Sequence, residues 1–345
     1  MRAVTFAEPG RVEVRQIPDP LPPGPDDALV RMTVAGLCGS DLHIFKGHTP
    51  IEEGAGLGHE LVGVVERVGD GVRRVAVGDR VVASFVIACG GCRLCRRGWF
   101  SQCEERAILG HGALFGGLGG AQADLCLIPN ADLNLFRLPE TVTDAQAVFV
   151  GDQLATGYFC AVRGEVSPGD TVLVVGAGAV GAMAILSAQV LGAARVLAVD
   201  PDPRRLELAA RLGAEPLDPN HVNVEMAVRE LTGDLGVDVA LECVGRKEAV
   251  EGAIQALRAA GTLSMVGVPD QVTGDFPYYD AWNRDLTVRS GICNVHAYAA
   301  PLLALIAGGR LHPEQVVSAQ MPLTEAPRAY LAFANHEATK VLLTP

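Results

Sequence analysis

Lysine is nearly absent: Lys46, Lys247 and Lys340 are the only three in 345 residues, and acidic residues outnumber basic ones to give a net charge of −12. With a pI near 5.1, such a surface is repelled by phosphate, so neither nucleic acid nor an anionic membrane is expected as a partner. The preference for arginine over lysine carries no functional reading of its own. Long apolar runs are also missing, and nothing approaches the roughly 18 uncharged residues of a membrane span. The opening stretch "MRAVTFAEPGRVEV" has no hydrophobic signal core and meets Glu8 and Pro9 early. A soluble, cytoplasmic protein is expected, without internal repeats or low-complexity tracts.

Cysteine, by contrast, is plentiful, with nine residues in the chain. Thiols stay reduced in most cytosols, so a dense cluster there points to a metal before a disulfide framework. The stretch "ACGGCRLCRRGWFSQCE", residues 88–104, spaces Cys89, Cys92, Cys95 and Cys103 as C-x-x-C-x-x-C-x₇-C. A ferredoxin run has a three-residue gap and a proline after its fourth cysteine. Here the last gap spans residues 96–102 and Glu104 follows. Four thiolates close a tetrahedral zinc site and leave no position for a substrate, so this lobe reads as structural zinc.

The chain has two textures. Residues 1–150 hold short β-branched runs, "RVEVRQI", "ALVRMTVAGL", "ELVGVVERVG", "DRVVASFVIA" and "QADLCLIP", separated by Gly, Pro and Asp. From about residue 170, strands alternate with helices. "DTVLVVGAG", "RVLAVD", "VDVALECVG" and "TLSMVGVP" read as strands. "AVGAMAILSAQVLGA", "DPRRLELAARLGA" and "KEAVEGAIQALRAAG" read as the helices between them. That alternation implies βαβ units on a parallel sheet. After about residue 290 a helical "AAPLLALIAGGRL" leads to a terminal strand in "KVLLTP", a tail able to pack back on the first domain.

"VLVVGAGAVGAMAIL" sets Gly176, Gly178 and Gly181 in G-x-G-x-x-G spacing between a strand and a helix, and Asp200 ends the next strand. Gly176 allows the tight turn and Gly178 lets the backbone approach a pyrophosphate. Ala179, Val180 and Gly181 open the helix whose free amides and dipole favour that anion. Asp200 is expected to accept from ribose hydroxyls and to repel a 2′-phosphate, which favours NAD over NADP. Arg204 and Arg205 follow closely and keep NADP open, since an arginine there accommodates a 2′-phosphate.

Cys38 follows a strand in "VAGLCGSDLHIFKG", and His59 and Glu60 begin another in "GLGHELVGVVERVGDGV". With the nucleotide motif, the four-cysteine lobe and "KVLLTP", these stretches resemble the zinc-dependent medium-chain alcohol dehydrogenases over essentially the whole chain. "SFVIACGGCRLC" and "GDQLATGY" are similar to the bacterial secondary-alcohol and formaldehyde-dehydrogenase-like branch. The resemblance implies an α/β protein with a GroES-like β-barrel catalytic domain, 1–155 and 290–345, and a Rossmann NAD-binding domain, 156–289, the active site lying in the cleft between them. It implies Cys38, His59 and Asp152 on a catalytic zinc, although Asp124 and Asp132 are also available carboxylates. Glu60 is implied as a neighbour of the ligands or an exchangeable fourth one. Two zinc ions per chain and a homotetramer follow from the same resemblance.

The implied reaction is reversible hydride transfer between NAD(H) and a small alcohol or carbonyl compound. A side-chain base alone does not deprotonate an aliphatic alcohol at neutral pH. Zinc lowers a bound water from about 15.7 to about 7, a difference worth ~12 kcal/mol. Ser40 and His43, in C-x-S-x-x-H spacing from Cys38, match the family's proton relay. Phe85, Trp99, His48, His111 and the loop "ILGHGALFGGLGG" are candidates for the substrate pocket, the glycine run 116–120 being mobile or tightly turned. Formaldehyde dehydrogenase, aldehyde dismutase or polyol dehydrogenase activity is the alternative within the fold. A non-catalytic NAD- and zinc-binding redox sensor is the alternative of a different class, and the intact Cys38, Ser40, His43, His59 and Glu60 speak against it.

Overall fold

Most of the β-branched runs of the first 150 residues, together with the end of the chain, pair into a seven-stranded sheet, while "RVEVRQI" pairs with Arg2–Glu8 in a separate two-stranded one. A computed structural model describes residues 1–269 and 276–345, and they divide into two compact units, Met1–Ala155 with Asn294–Pro345, and Thr156–Cys293. In the first unit the strands run Ala319–Pro322, Val341–Thr344, Ala28–Gly36, Glu60–Val68, Arg80–Ala83 and Leu135–Arg137, with Leu125–Ile128 also paired to Ala28–Gly36. The central pair is antiparallel, with Gly36 opposite Glu60. The terminal strand joins its other side, with Leu342 opposite Gly36, so the tail does pack back on this unit. Met32, Leu61, Val81, Ile128 and Tyr330 are fully buried in its core. Tyr330 keeps its hydroxyl satisfied by donating to Gln122 Oε1 at 2.9 Å.

"DRVVASFVIA" is one run in sequence and two strands in the structure, Arg80–Ala83 and Val86–Ile87. The break arises because the Ser84 amide donates to Asn134 O and the Phe85 amide to Gly151 O, each at 3.0 Å, instead of continuing the ladder. Phe85 is thereby drawn toward the segment that ends in Asp152.

The second unit is a six-stranded, wholly parallel sheet in the order Glu215–Leu217, Arg195–Val199, Thr171–Val175, Val237–Glu242, Leu257–Met265 and Thr287–Ser290. Numbered along the chain this is 3-2-1-4-5-6, the doubly wound Rossmann order, whose ligand crevice lies at the carboxyl ends of the two central strands. One element departs from the sequence reading. "KEAVEGAIQALRAAG" is a helix only over Lys247–Ala256, and Leu257 already begins a strand. Buried Leu257 pairs with Val237, and Ala260 takes a positive φ of 55° at a bulge, so sheet pairing overrides the helical propensity of "LRAA".

Candidate functional site

Three strand ends meet in the first unit. Because Gly36 lies opposite Glu60, Cys38, two residues past one strand, comes beside His59, one residue before the other. Because Leu342 lies opposite Gly36 on the other side, Lys340 arrives at the same place. Its ammonium forms an ion pair with Glu60 Oε2 and donates to Leu37 O at 3.1 Å, and neither Lys340 nor Glu60 is exposed. A Cβ on Gly36 would stand 1.9 Å from Glu60 Oε2 and 2.6 Å from Lys340 Nζ, so any side chain there would push this buried ion pair aside. Asp152 comes from elsewhere, between the turn Val148–Gly151 and the helix Gln153–Arg163. One ligand atom from each of Cys38, His59, Glu60 and Asp152 lies within 4.8 Å of all the others. The other two candidate carboxylates are engaged apart from this cluster, Asp124 with Arg2 at 2.7 Å and Asp132 with the Arg73 and Arg74 amides.

A residue that the sequence reading passed over organises the cluster. Asp41, in the first turn of the helix Gly39–Phe45, accepts from the Cys38 amide at 2.9 Å. Its other oxygen lies 3.3 Å from His59 Nδ1. A carboxylate at Nδ1 fixes the imidazole so that Nε2 faces Asp152 Oδ2 and Ser40 Oγ, each at 3.2 Å. Lys340 was likewise passed over. The available signals were an acidic residue three positions after the N-cap Cys38, and a solitary lysine just before the last strand of an arginine-using chain.

Carboxylates outnumber the cationic groups in this cluster. Asp41, Glu60 and Asp152 are all buried with Cys38, against the Lys340 ammonium and the His59 imidazole. Burial pushes His59 down, but Asp41 and Asp152 beside it raise it well above its ordinary pKa. Burial pushes Asp152 up, yet hydrogen bonding with His59 and Cys38 brings it below the usual carboxylate range. Burial, then the Asp152 charge, push the Cys38 thiol up. Burial carries Glu60 up to about 7 against the pull of Lys340. Glu60 Oε1 is buried with no hydrogen-bond partner among the described residues. A dication meets both the surplus of acid and the orphaned oxygen, and a thiol, an imidazole and a carboxylate are a donor set that fits zinc.

Around this cluster, Ser40 is half-buried beside His59, and His43 follows it by one helical turn with its ring 5.9 Å from that of exposed His48. Phe85 and His111 both edge onto His59, at 6.1 and 5.0 Å between ring centres. Trp99 does not: it lies exposed on the cysteine lobe with the Arg97 guanidinium 5.8 Å from its ring centre. The glycine run resolves as tight turns, Gly116 and Gly117 donating back to Ala113 O and Gly112 O.

The four lobe cysteines bring their sulfurs within 4.8 Å of one another. Backbone amides of Cys89, Cys92, Cys95 and Glu105 point at sulfur at 3.3–3.4 Å. Amides from Cys95 and Glu104 bring the Cys92 thiol down to about 6, the state a metal ligand needs. Asn134 ties the lobe down, exchanging two 3.0 Å bonds with the Ala88 backbone and accepting from His296 at 2.8 Å.

In the second unit, Gly178 caps the helix Ala179–Leu191, with Ala179, Val180 and Gly181 as its first turn. A Cβ on Gly181 would meet Gly176 O at 1.7 Å, so the loop closes only on glycine, whereas beyond Gly178 the nearest atom is Arg205 Nη1 at 4.0 Å. Asp200 is buried and stitches the loop to the next strand, accepting from the Ala177 and Asp202 amides at 2.9 Å, with Arg205 Nη1 at 3.5 Å. Oδ1, which accepts only from the Asp202 amide, retains a lone pair for a ribose hydroxyl, while Oδ2 is taken up by the Ala177 amide and Arg205. Arg204 pairs instead with Asp202 at 3.1 Å.

Two family models match the chain, the alcohol dehydrogenase GroES-like domain over residues 24–140 and the zinc-binding dehydrogenase over residues 179–308. A probable zinc-binding alcohol dehydrogenase of Mycobacterium tuberculosis is 40% identical, the match covering 96% of this chain and 84% of the relative. A glutathione-independent formaldehyde dehydrogenase of Pseudomonas aeruginosa is 32% identical, covering 100% and 97%. The solved structure of an alcohol dehydrogenase from Thermus sp. ATN1 superposes with a TM-score of 0.97 at 46% identity, covering 100% and 99% of the two chains.

Proposed function

This chain belongs to the zinc-dependent medium-chain alcohol dehydrogenases, and from that premise we propose that it interconverts a small alcohol and its ketone or aldehyde at Cys38, His59 and Asp152, with NAD as the hydride carrier. The observation that carries the reading is the convergence of these three side chains with Glu60, all within 4.8 Å. Zinc held there supplies the Lewis acidity that makes an alcohol proton removable near neutral pH, and bound NAD supplies the hydride acceptor.

The chain's own groups do the rest. Asp41 holds His59 in the tautomer that leaves Nε2 free to ligate. Ser40 Oγ, beside His59, takes the reacting proton, and His43 on the next turn stands on the way to solvent. Lys340 neutralises Glu60 when that side chain is not a ligand. The four-cysteine lobe holds a second zinc with no open position, a structural role. Asp200 selects NAD over NADP. A cytoplasmic homotetramer with this division into catalytic and nucleotide-binding units completes the proposal.

A steady-state screen of alcohols, diols and aldehydes with both dinucleotides tests it. The wild type is expected to prefer NAD, and Asp200→Gly to shift the NADP/NAD ratio of kcat/KM upward by about tenfold or more, because a buried negative charge leaves the 2′-phosphate position. A wild type that prefers NADP contradicts the role of Asp200. The likeness to a formaldehyde dehydrogenase supports a second reading, oxidation or dismutation of hydrated aldehydes, for which protein purified with stoichiometric NAD is the mark.

A further inference from the structure

His111 is 8% exposed, and its ring meets His59 edge-on at 5.0 Å while Phe115 meets it at 5.7 Å. Its position is fixed through the backbone. The Leu109 amide donates to Phe85 O at 3.3 Å, and the Phe85 amide donates to Gly151 O, next to Asp152. His111 Nδ1 lies 2.9 Å from Leu109 O. A carbonyl oxygen only accepts, so Nδ1 carries the proton and a neutral ring presents a bare lone pair at Nε2. No described residue donates to that nitrogen. Phe85 lies against His59 and Phe115 against His111, so Nε2 is a polar acceptor set between aromatic rings beside the cluster.

An acceptor there discriminates among substrates by what they donate. The reacting hydroxyl of any alcohol is committed to the Cys38–His59–Asp152 centre. An alkyl group or a carbonyl has nothing to offer Nε2, but a second hydroxyl does. Resting on the oxidoreductase reading above, we propose that His111 is a specificity-determining residue. Its Nε2 accepts from a second substrate hydroxyl and selects diols over monohydric alcohols of similar size. Two sources share that chemistry: vicinal diols, and the gem-diol hydrates of aldehydes. The redox balance is that of the established reaction class. The C–H hydride passes to the nicotinamide and the reacting O–H proton leaves. A vicinal diol yields a hydroxyketone or hydroxyaldehyde, and a hydrate yields a carboxylic acid. The second hydroxyl keeps its proton, shared with Nε2.

The test uses the zinc-loaded full-length enzyme, with His111→Phe to delete the acceptor and His111→Gln to restore one as an amide oxygen. One arm compares kcat/KM for propane-1,2-diol and propan-2-ol with NAD, and another compares hydrated formaldehyde with methanol. The arm showing the larger ratio identifies the source. A binding arm titrates 1-hydroxypropan-2-one and acetone calorimetrically into the zinc-loaded enzyme without dinucleotide, where no hydride acceptor or donor is present and neither turns over. The wild type is expected to favour the hydroxylated member by about tenfold or more in both readouts. His111→Phe is expected to collapse both ratios toward one with zinc content intact, and His111→Gln to recover part of them. Ratios in His111→Phe equal to the wild type overturn the proposal. Turnover of monohydric alcohols without diol preference overturns this inference alone. Absence of turnover on every alcohol contradicts the oxidoreductase reading, while the calorimetric discrimination still decides the role of His111.

Discussion

Cys38→Ser and His59→Ala are each expected to lower kcat by roughly four orders of magnitude or more, with NADH binding changed less than about threefold. Serine at neutral pH is a neutral hydroxyl and a poor zinc ligand, and alanine removes the imidazole that Asp41 orients. Glu60 could still offer its free oxygen to a metal, but a carboxylate restores neither the thiolate of Cys38 nor the imidazole of His59, and Asp41 is held by the Cys38 amide. The glycine loop belongs to the other compact unit and contains neither residue. Fluorescence titration of NADH against steady-state turnover separates the two effects. Turnover near the wild-type level in either variant contradicts a metal-centred mechanism.

Lys340→Met is expected to destabilise the protein by about 3–5 kcal/mol, because it strands the Glu60 carboxylate at a position with no solvent access. The buried pair is a poor stabiliser compared with an apolar one, so the cost comes from leaving one charge alone. The double variant Glu60→Gln/Lys340→Met removes that charge and is expected to recover at least half of the loss. Denaturant unfolding of the wild type, both single variants and the double variant measures the coupling. A double variant no more stable than Lys340→Met alone shows that Lys340 matters for packing and not for its charge.

The parallel-sheet unit is legible in the sequence because its signals are local. The strand before Gly176, the glycine spacing and the acid closing the next strand occupy 30 consecutive positions, Thr171–Asp200. The boundary at Ala256 and Leu257 is not legible, because "QALRAAG" suits a helix and only pairing with Val237 makes its second half a strand. Cys38 and His59 are visible as reactive residues at strand ends, but their meeting depends on a register that sets Gly36 against Glu60. Asp152 has no local signal beyond a family likeness, since its place is fixed by Gly151 bonding to Phe85 across the unit. Asp41 and Lys340 look like an ordinary first-turn acid and an ordinary surface base until the fold buries them. The acceptor on His111 is further still from the sequence, because it exists only through the bond of Nδ1 to Leu109 O.

The proposal gives this chain two metal sites of different kinds, one for chemistry and one for structure. Anomalous diffraction from crystals of protein purified without chelator, recorded on either side of the zinc absorption edge, tests it most directly. Two peaks per chain are expected, one among Cys38, His59 and Asp152 and one among Cys89, Cys92, Cys95 and Cys103. A peak at the four cysteines with none at Cys38, in catalytically active crystals, would contradict it.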